Sequence, residues 1–219
     1  MCMLSDAYQL YRTLTEKYKE DEEWKSAKTI LECIRLRDQG ELGTGTADHS
    51  IMVAYIAYLI ARKCIEKQAI VDRYFLAGIL HDIGKLGMSD SILKSNSRLS
   101  EIDKYQLSLH VQNGFKILGE LRFGEDILRF CLFHHERLDG QGYPNGMKKS
   151  EIPLIGRIAA VADVFGAMRL PRPYRPNVMA VSSIISSLAK EKGSYDPNIV
   201  EILRMINLEE ECNNPSLLL

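Results

Sequence analysis

Paired cysteines are missing from this chain. Cys2, Cys33, Cys64, Cys131 and Cys212 are dispersed, odd in number and never in a C-x-x-C pair, which argues against a disulfide framework and a thiolate zinc site. They read as reduced and mostly buried. A dominant charge is missing too: 28 lysines and arginines are interspersed with 29 aspartates and glutamates, for a net charge of −1. No basic stripe marks a partner such as a nucleic-acid polymer or a membrane surface, whereas a small anionic ligand stays open. The longest apolar run, IMVAYIAYLIA, falls well short of the ~20 residues of a membrane helix. The N-terminal MCMLSDAYQL lacks the apolar core of a signal peptide. A soluble, cytoplasmic protein without a membrane span is the expectation. Sustained period-two alternation is absent as well, so no strand is expected.

What the chain has is helical periodicity. Leu4, Tyr8, Tyr11, Leu14 and Tyr18 recur three or four apart, and after the acidic EDEE the stripe resumes at Trp24, Ala27, Leu31 and Ile34, as two amphipathic helices require. The glycine-bearing DQGELGTGT, residues 38–46, breaks the pattern. It separates an N-terminal helical extension, 1–37, from a body of 38–206 and a polar tail of 207–219. The extension is expected to pack on the body or on a second subunit, as a homodimer or partner contact. In the body, helices are expected from Ala47 to Arg62, Val71 to Ile83, Phe123 to His135, Pro153 to Met168, Asn177 to Lys190 and Pro197 to Ile206. Gly84 stands where a left-handed C-cap would end the second of these, and Ser100 with Asp103 forms a capping signal before Ile102, Tyr105 and Leu109. The fold class is all-α.

All five histidines fall on or at the ends of these inferred helices: His49, His81 beside Asp82, His110, and the adjacent His134 and His135. Any one alone reads as a packed or surface histidine. Together they are what a helical bundle uses to hold metal in its core. Neighbours on a helix point about 100° apart, so His81 and Asp82, or His134 and His135, cannot easily face one ion. Two ions solve this, with a carboxylate such as Asp82 bridging. Imidazole and carboxylate donors without thiolate suit Fe, Mn, Zn or Ni.

In order, HDIGK, GMSDSIL, His110, HHERLDGQGYP, IPLIGRIAAVADVF, RPYR and YDP resemble the motifs of the HD-GYP domain, a subgroup of HD-type phosphohydrolases, from about Asp38 to about Met205. The resemblance implies an all-helical bundle of that type, a cofactor of two or three divalent metals, usually iron or manganese, and hydrolysis of the signalling molecule cyclic di-GMP to pGpG and GMP. It implies that His49, His81, Asp82 and Asp163 hold one metal and that Asp82, His110, His134 and His135 hold the other. A third metal takes a glutamate four residues before the first histidine; Gly45 stands there, so two are expected. Lys85 then contacts the scissile phosphate as a catalytic cation together with Asp82; the lesser alternative is a solvated lysine near a helix end. Gly142, Tyr143 and Pro144 form the GYP loop that shapes the site, with Tyr143 at the substrate, and Arg172 and Arg175 hold the cyclic dinucleotide's phosphates or guanine.

The chain departs from the family after VAD, reading VFGAMRLPRPYR where VFDALTSxRPYR is usual. Gly166 replaces a pocket aspartate, and Arg169, Leu170 and Pro171 replace TSx. The metal residues are intact and the substrate residues altered. A cyclic di-GMP phosphodiesterase is the leading expectation. A nucleotide-binding regulator with little turnover, and a hydrolase of a different nucleotide, are the alternatives.

Overall fold

The computed structural model describes residues 2–38, 45–93, 100–171, 177–206 and 208. Arg172 and Arg175, most of the 38–46 boundary and nearly all of the tail lie outside the described residues. The elements in order are α1 (Cys2–Lys17), α2 (Glu22–Arg37), α3 (Thr46–Cys64), α4 (Gln68–Leu80), a 3-10 turn over Ile83–Gly87, α5 (Asp90–Leu93), α6 (Glu101–Glu120), α7 (Glu125–Phe133), a 3-10 turn over Lys149–Glu151, α8 (Leu154–Arg169), α9 (Val181–Lys190) and α10 (Pro197–Met205). Among the described residues there is no strand, and one isolated bridge joins Asp139 to Lys148.

Helix α3 is the axis of the bundle. Every residue from Ala47 to Ala61 is buried; from Ile51 on, the segment is apolar around its whole circumference and needs neighbours on all sides. Helices α4, α8, α1, α2 and α10 surround it. The two N-terminal helices belong to this core: Met3, Ala7, Leu10 and Leu14 of α1 and Trp24, Ala27, Leu31 and Ile34 of α2 are all buried. Asp21 caps α2 by accepting from the amides of Glu23 and Trp24, and Trp24 stacks on Tyr18 at 5.1 Å between ring centroids.

Three sequence expectations about helix ends shift. Helix α4 stops at Leu80, and Gly84 is no left-handed cap: it lies inside the 3-10 turn, where a Cβ would come 1.9 Å from the His110 carbonyl oxygen. Glycine is needed there for the close approach of the turn to α6. Helix α7 ends at Phe133, so His134 and His135 stand just beyond its last turn. Helix α9 begins at Val181, not Asn177, and the Met179 carbonyl accepts from Arg169. The Ser100–Asp103 capping box forms as the sequence suggests.

Candidate metal centre

His49 comes from the first turn of α3, His81 and Asp82 from the end of α4, His110 from α6, His134 and His135 from the end of α7, and Asp163 from α8. All are buried except His135, which is partly exposed. Their donor atoms converge. His49 Nε2 lies 2.9 Å from Asp163 Oδ1, and His81 Nε2 lies 3.7 Å from the same oxygen. His110 Nε2 and His134 Nε2 are 3.2 Å apart, and His135 Nδ1 is 3.4 Å from Asp163 Oδ2. Asp82 stands between the two groups. Its Oδ2 is 3.3 Å from His81 and 3.8 Å from His49, while its Oδ1 is 3.2 Å from His110 and 3.8 Å from His134.

These distances place His49, His81 and Asp163 close enough for one ion, and His110, His134 and His135 close enough for another. His81, Asp82 and His134 form a third compact group between them. The donor set fits divalent metals on a further count: His81 Nε2 and Asp82 Oδ1 are buried without a hydrogen-bond partner, a costly state unless a cation takes the lone pairs. The imidazoles are also oriented for it. In His81, His110 and His134, Nδ1 bonds the carbonyl three residues back, at Gly78 (2.8 Å), Leu107 (2.5 Å) and Cys131 (2.6 Å). A proton on Nδ1 leaves Nε2 as the lone-pair donor.

Charge follows the same plan. Burial alone would raise Asp82, but the Lys85 and His81 charges hold it well below the usual carboxylate range. Burial is likewise outweighed at Asp163, by its hydrogen bond with His49 and by the charges of the surrounding imidazoles. Burial would lower His81, yet Asp82 and Asp163 lift it to about 9. Burial and the neighbouring imidazoles push His134 well down, and burial leads in pushing His135 to about 4. Lys85 Nζ sits 2.5 Å from Asp82 Oδ2.

The stretch after the histidine pair folds back onto it. Tyr143 N donates to the His135 carbonyl at 3.1 Å, and a Cβ on Gly142 would meet the backbone of His135 to Arg137 at 2.4 to 2.6 Å. The Tyr143 ring lies 4.7 Å from the His135 ring, and Pro144 follows through a cis peptide bond. Glu136, which the sequence reading passed over, is fully buried and accepts from the amides of Asn145 (2.7 Å) and Met147 (2.9 Å). Arg137 ties the loop to Ser194 Oγ at 2.5 Å. A cavity of about 210 Å³ opens beside the centre, with His134, His135, Tyr143 and Tyr195 in its lining. Gly166 faces the other end: a Cβ there would lie 3.3 Å from His49 Nδ1. Gly45 stands at the N-cap of α3 and makes no side-chain cap bond.

An HD pair at a helix end, completed by histidines and an aspartate from the surrounding helices, defines the class. Residues 10–199 match the family described as HD domain, and the chain belongs to that family. It is 34% identical over 171 residues to a cyclic di-GMP phosphodiesterase of Pseudomonas aeruginosa, covering 78% of this chain and 40% of that protein. It is 42% identical over 132 residues to a 3'3'-cGAMP-specific phosphodiesterase of Vibrio cholerae, covering 59% of this chain and 28% of that one. The chain thus spans less than half the length of either relative. An HDG"Y"P protein of Bdellovibrio bacteriovorus shares the fold, with a TM-score of 0.63, 15% identity, and coverage of 93% of this chain and 68% of that one.

Proposed function

We propose that this chain is a metal-dependent phosphodiesterase that opens a cyclic dinucleotide, with cyclic di-GMP, giving pGpG and GMP, as the leading substrate. The observation that carries the reading is the Asp82 carboxylate, which presents one oxygen to His49 and His81 and the other to His110 and His134. Such a carboxylate would help to hold two ions, iron or manganese in the proposal. His49, His81 and Asp163 complete one set of ligands; His110, His134 and His135 complete the other.

The chemistry that two divalent ions supply in such a site is Lewis acidity, which lowers the pKa of water and offsets charge on phosphate oxygens. The protein's own groups do the rest. The Nδ1 hydrogen bonds of His81, His110 and His134 fix which nitrogen faces inward. Lys85 supplies a fixed cation where phosphate charge grows in the transition state. Glu136 pins the loop that carries Tyr143, so the cavity wall beside the reacting phosphate is preformed.

The test is turnover by the full chain loaded with iron or manganese, read by chromatography, with elemental analysis of the same sample. Two ions per chain and linear product, both reduced in His81→Ala and His135→Ala, are expected. Intact cyclic dinucleotides, with His81→Ala indistinguishable from the parent, would defeat the proposal. Gly166 favours a second reading. It removes a side chain beside His49 where the family resemblance has aspartate, and related proteins are named for cyclic di-GMP and for 3'3'-cGAMP. A substrate panel that includes both, with calorimetry for binding without turnover, separates an altered substrate from a binding role.

A further inference from the structure

Arg37 is the last residue of α2, and its guanidinium reaches across to the turn that carries Lys85. One nitrogen donates to the Lys85 carbonyl; the other donates to the Met88 carbonyl and lies 3.0 Å from Asp90 Oδ1. The turn itself is a short 3-10 segment, whose internal bonds run from the Lys85 amide to the Asp82 carbonyl (2.9 Å) and from the Met88 amide to the Lys85 carbonyl (3.1 Å). Such segments have poorer hydrogen-bond geometry than an α-helix. On its inner side the turn is seated by Gly84 against the His110 carbonyl; on its outer side it is held by Arg37. A planar guanidinium can engage both carbonyls and the Asp90 carboxylate together, which a lysine ammonium on a flexible stem cannot do equally well.

We propose that Arg37 is a positioning residue: it clamps the Ile83–Gly87 turn so that the Lys85 ammonium stays against Asp82, facing the metal centre. This rests on the proposed role of Lys85 at the phosphate. It makes the end of α2, remote from the ligands in sequence, part of the machinery that sets the transition-state cation.

The experiment uses the full, metal-loaded chain in five forms: parent, Arg37→Ala, Arg37→Lys, Lys85→Ala and the Arg37→Ala/Lys85→Ala double variant. Metal content, kcat and KM are measured, together with deuterium exchange at the Lys85 and Met88 amides. Arg37→Ala is expected to keep its metal, to lose roughly tenfold to a hundredfold in kcat with KM little changed, and to exchange faster at both amides. Arg37→Lys should fall between it and the parent. In the Lys85→Ala background, Arg37→Ala should cause no further loss of kcat. Unchanged exchange, or an equal loss of kcat with and without Lys85, would overturn the proposal. If Arg37→Ala folds poorly, the same comparisons are made with Arg37→Lys. A parent inactive on every cyclic dinucleotide would instead defeat the proposed function, and the exchange data would still decide the clamp.

Discussion

His81 presents one lone pair to the centre, at Nε2, because Nδ1 is committed to the Gly78 carbonyl. Proton and metal compete for that atom. In the metal-free protein Asp82 and Asp163 overcome burial and lift His81 to about 9 from its ordinary 6.5. Its contribution to metal-free stability is therefore fully present below about pH 6.5 and fades as pH rises through 9. Metal uptake must displace this proton, so affinity should climb with pH up to about 9. Titration calorimetry in two buffers of different ionisation heat should show proton release at pH 7.5 that disappears above pH 9.5. Lys85 gives a second expectation. Lys85→Ala should keep both ions yet lose roughly a hundredfold in kcat, the scale of removing one transition-state charge donor; elemental analysis and steady-state kinetics check it. The five histidines, with Asp82 beside His81, could be singled out because imidazole is scarce in the chain and every copy falls near an inferred helix, whereas Asp163 entered only through the family resemblance. Glu136 and Arg37 escaped notice because their main partners are backbone groups, 9 to 11 and 48 to 51 residues away. A backbone acceptor leaves no residue-type pattern to read.

The elements deliver these side chains by ending where they do. Periodicity located the helices, since burying an apolar stripe needs the 3.6-residue repeat, but it overran the ends of α4 and α7. There the chain leaves the helix to aim Asp82 and His135 inward, and local propensity is overruled by what the centre's geometry demands. Gly84 shows the limit well. A glycine after a helix reads as a cap, whereas here its hydrogen is what lets the turn touch α6. Gly84→Ala should force the turn away from the His110 carbonyl and cost roughly 1–3 kcal/mol, as overpacking does. Since His110 and Asp82 flank the contact, reduced metal occupancy should accompany the lower melting temperature, by elemental analysis and calorimetry of one preparation.

For the whole molecule, the all-helical class followed from patterning, and α3 shows why: a segment apolar on every side needs a complete ring of helices. The place of α1 and α2 in that ring was harder to read, because an amphipathic stripe states that a face is covered without saying by what. Their core residues make a firm expectation: a chain lacking residues 1–37 should be insoluble or should lose its cooperative melt. The buried carboxylates and imidazoles likewise tie folding to metal. Chelation should lower stability by about 2.7 kcal/mol for each site held at a hundredfold excess over its Kd, about 5–10 °C for a chain of this size, reversed on adding iron or manganese. The stacking of Trp24 on Tyr18 has an optical consequence. Trp24 is the chain's single tryptophan and sits on the helix that ends at Arg37. The protein therefore carries one intrinsic fluorophore on the helix whose last residue is the proposed clamp, and a change in emission lifetime on adding nucleotide would report a rearrangement of that helix without any label.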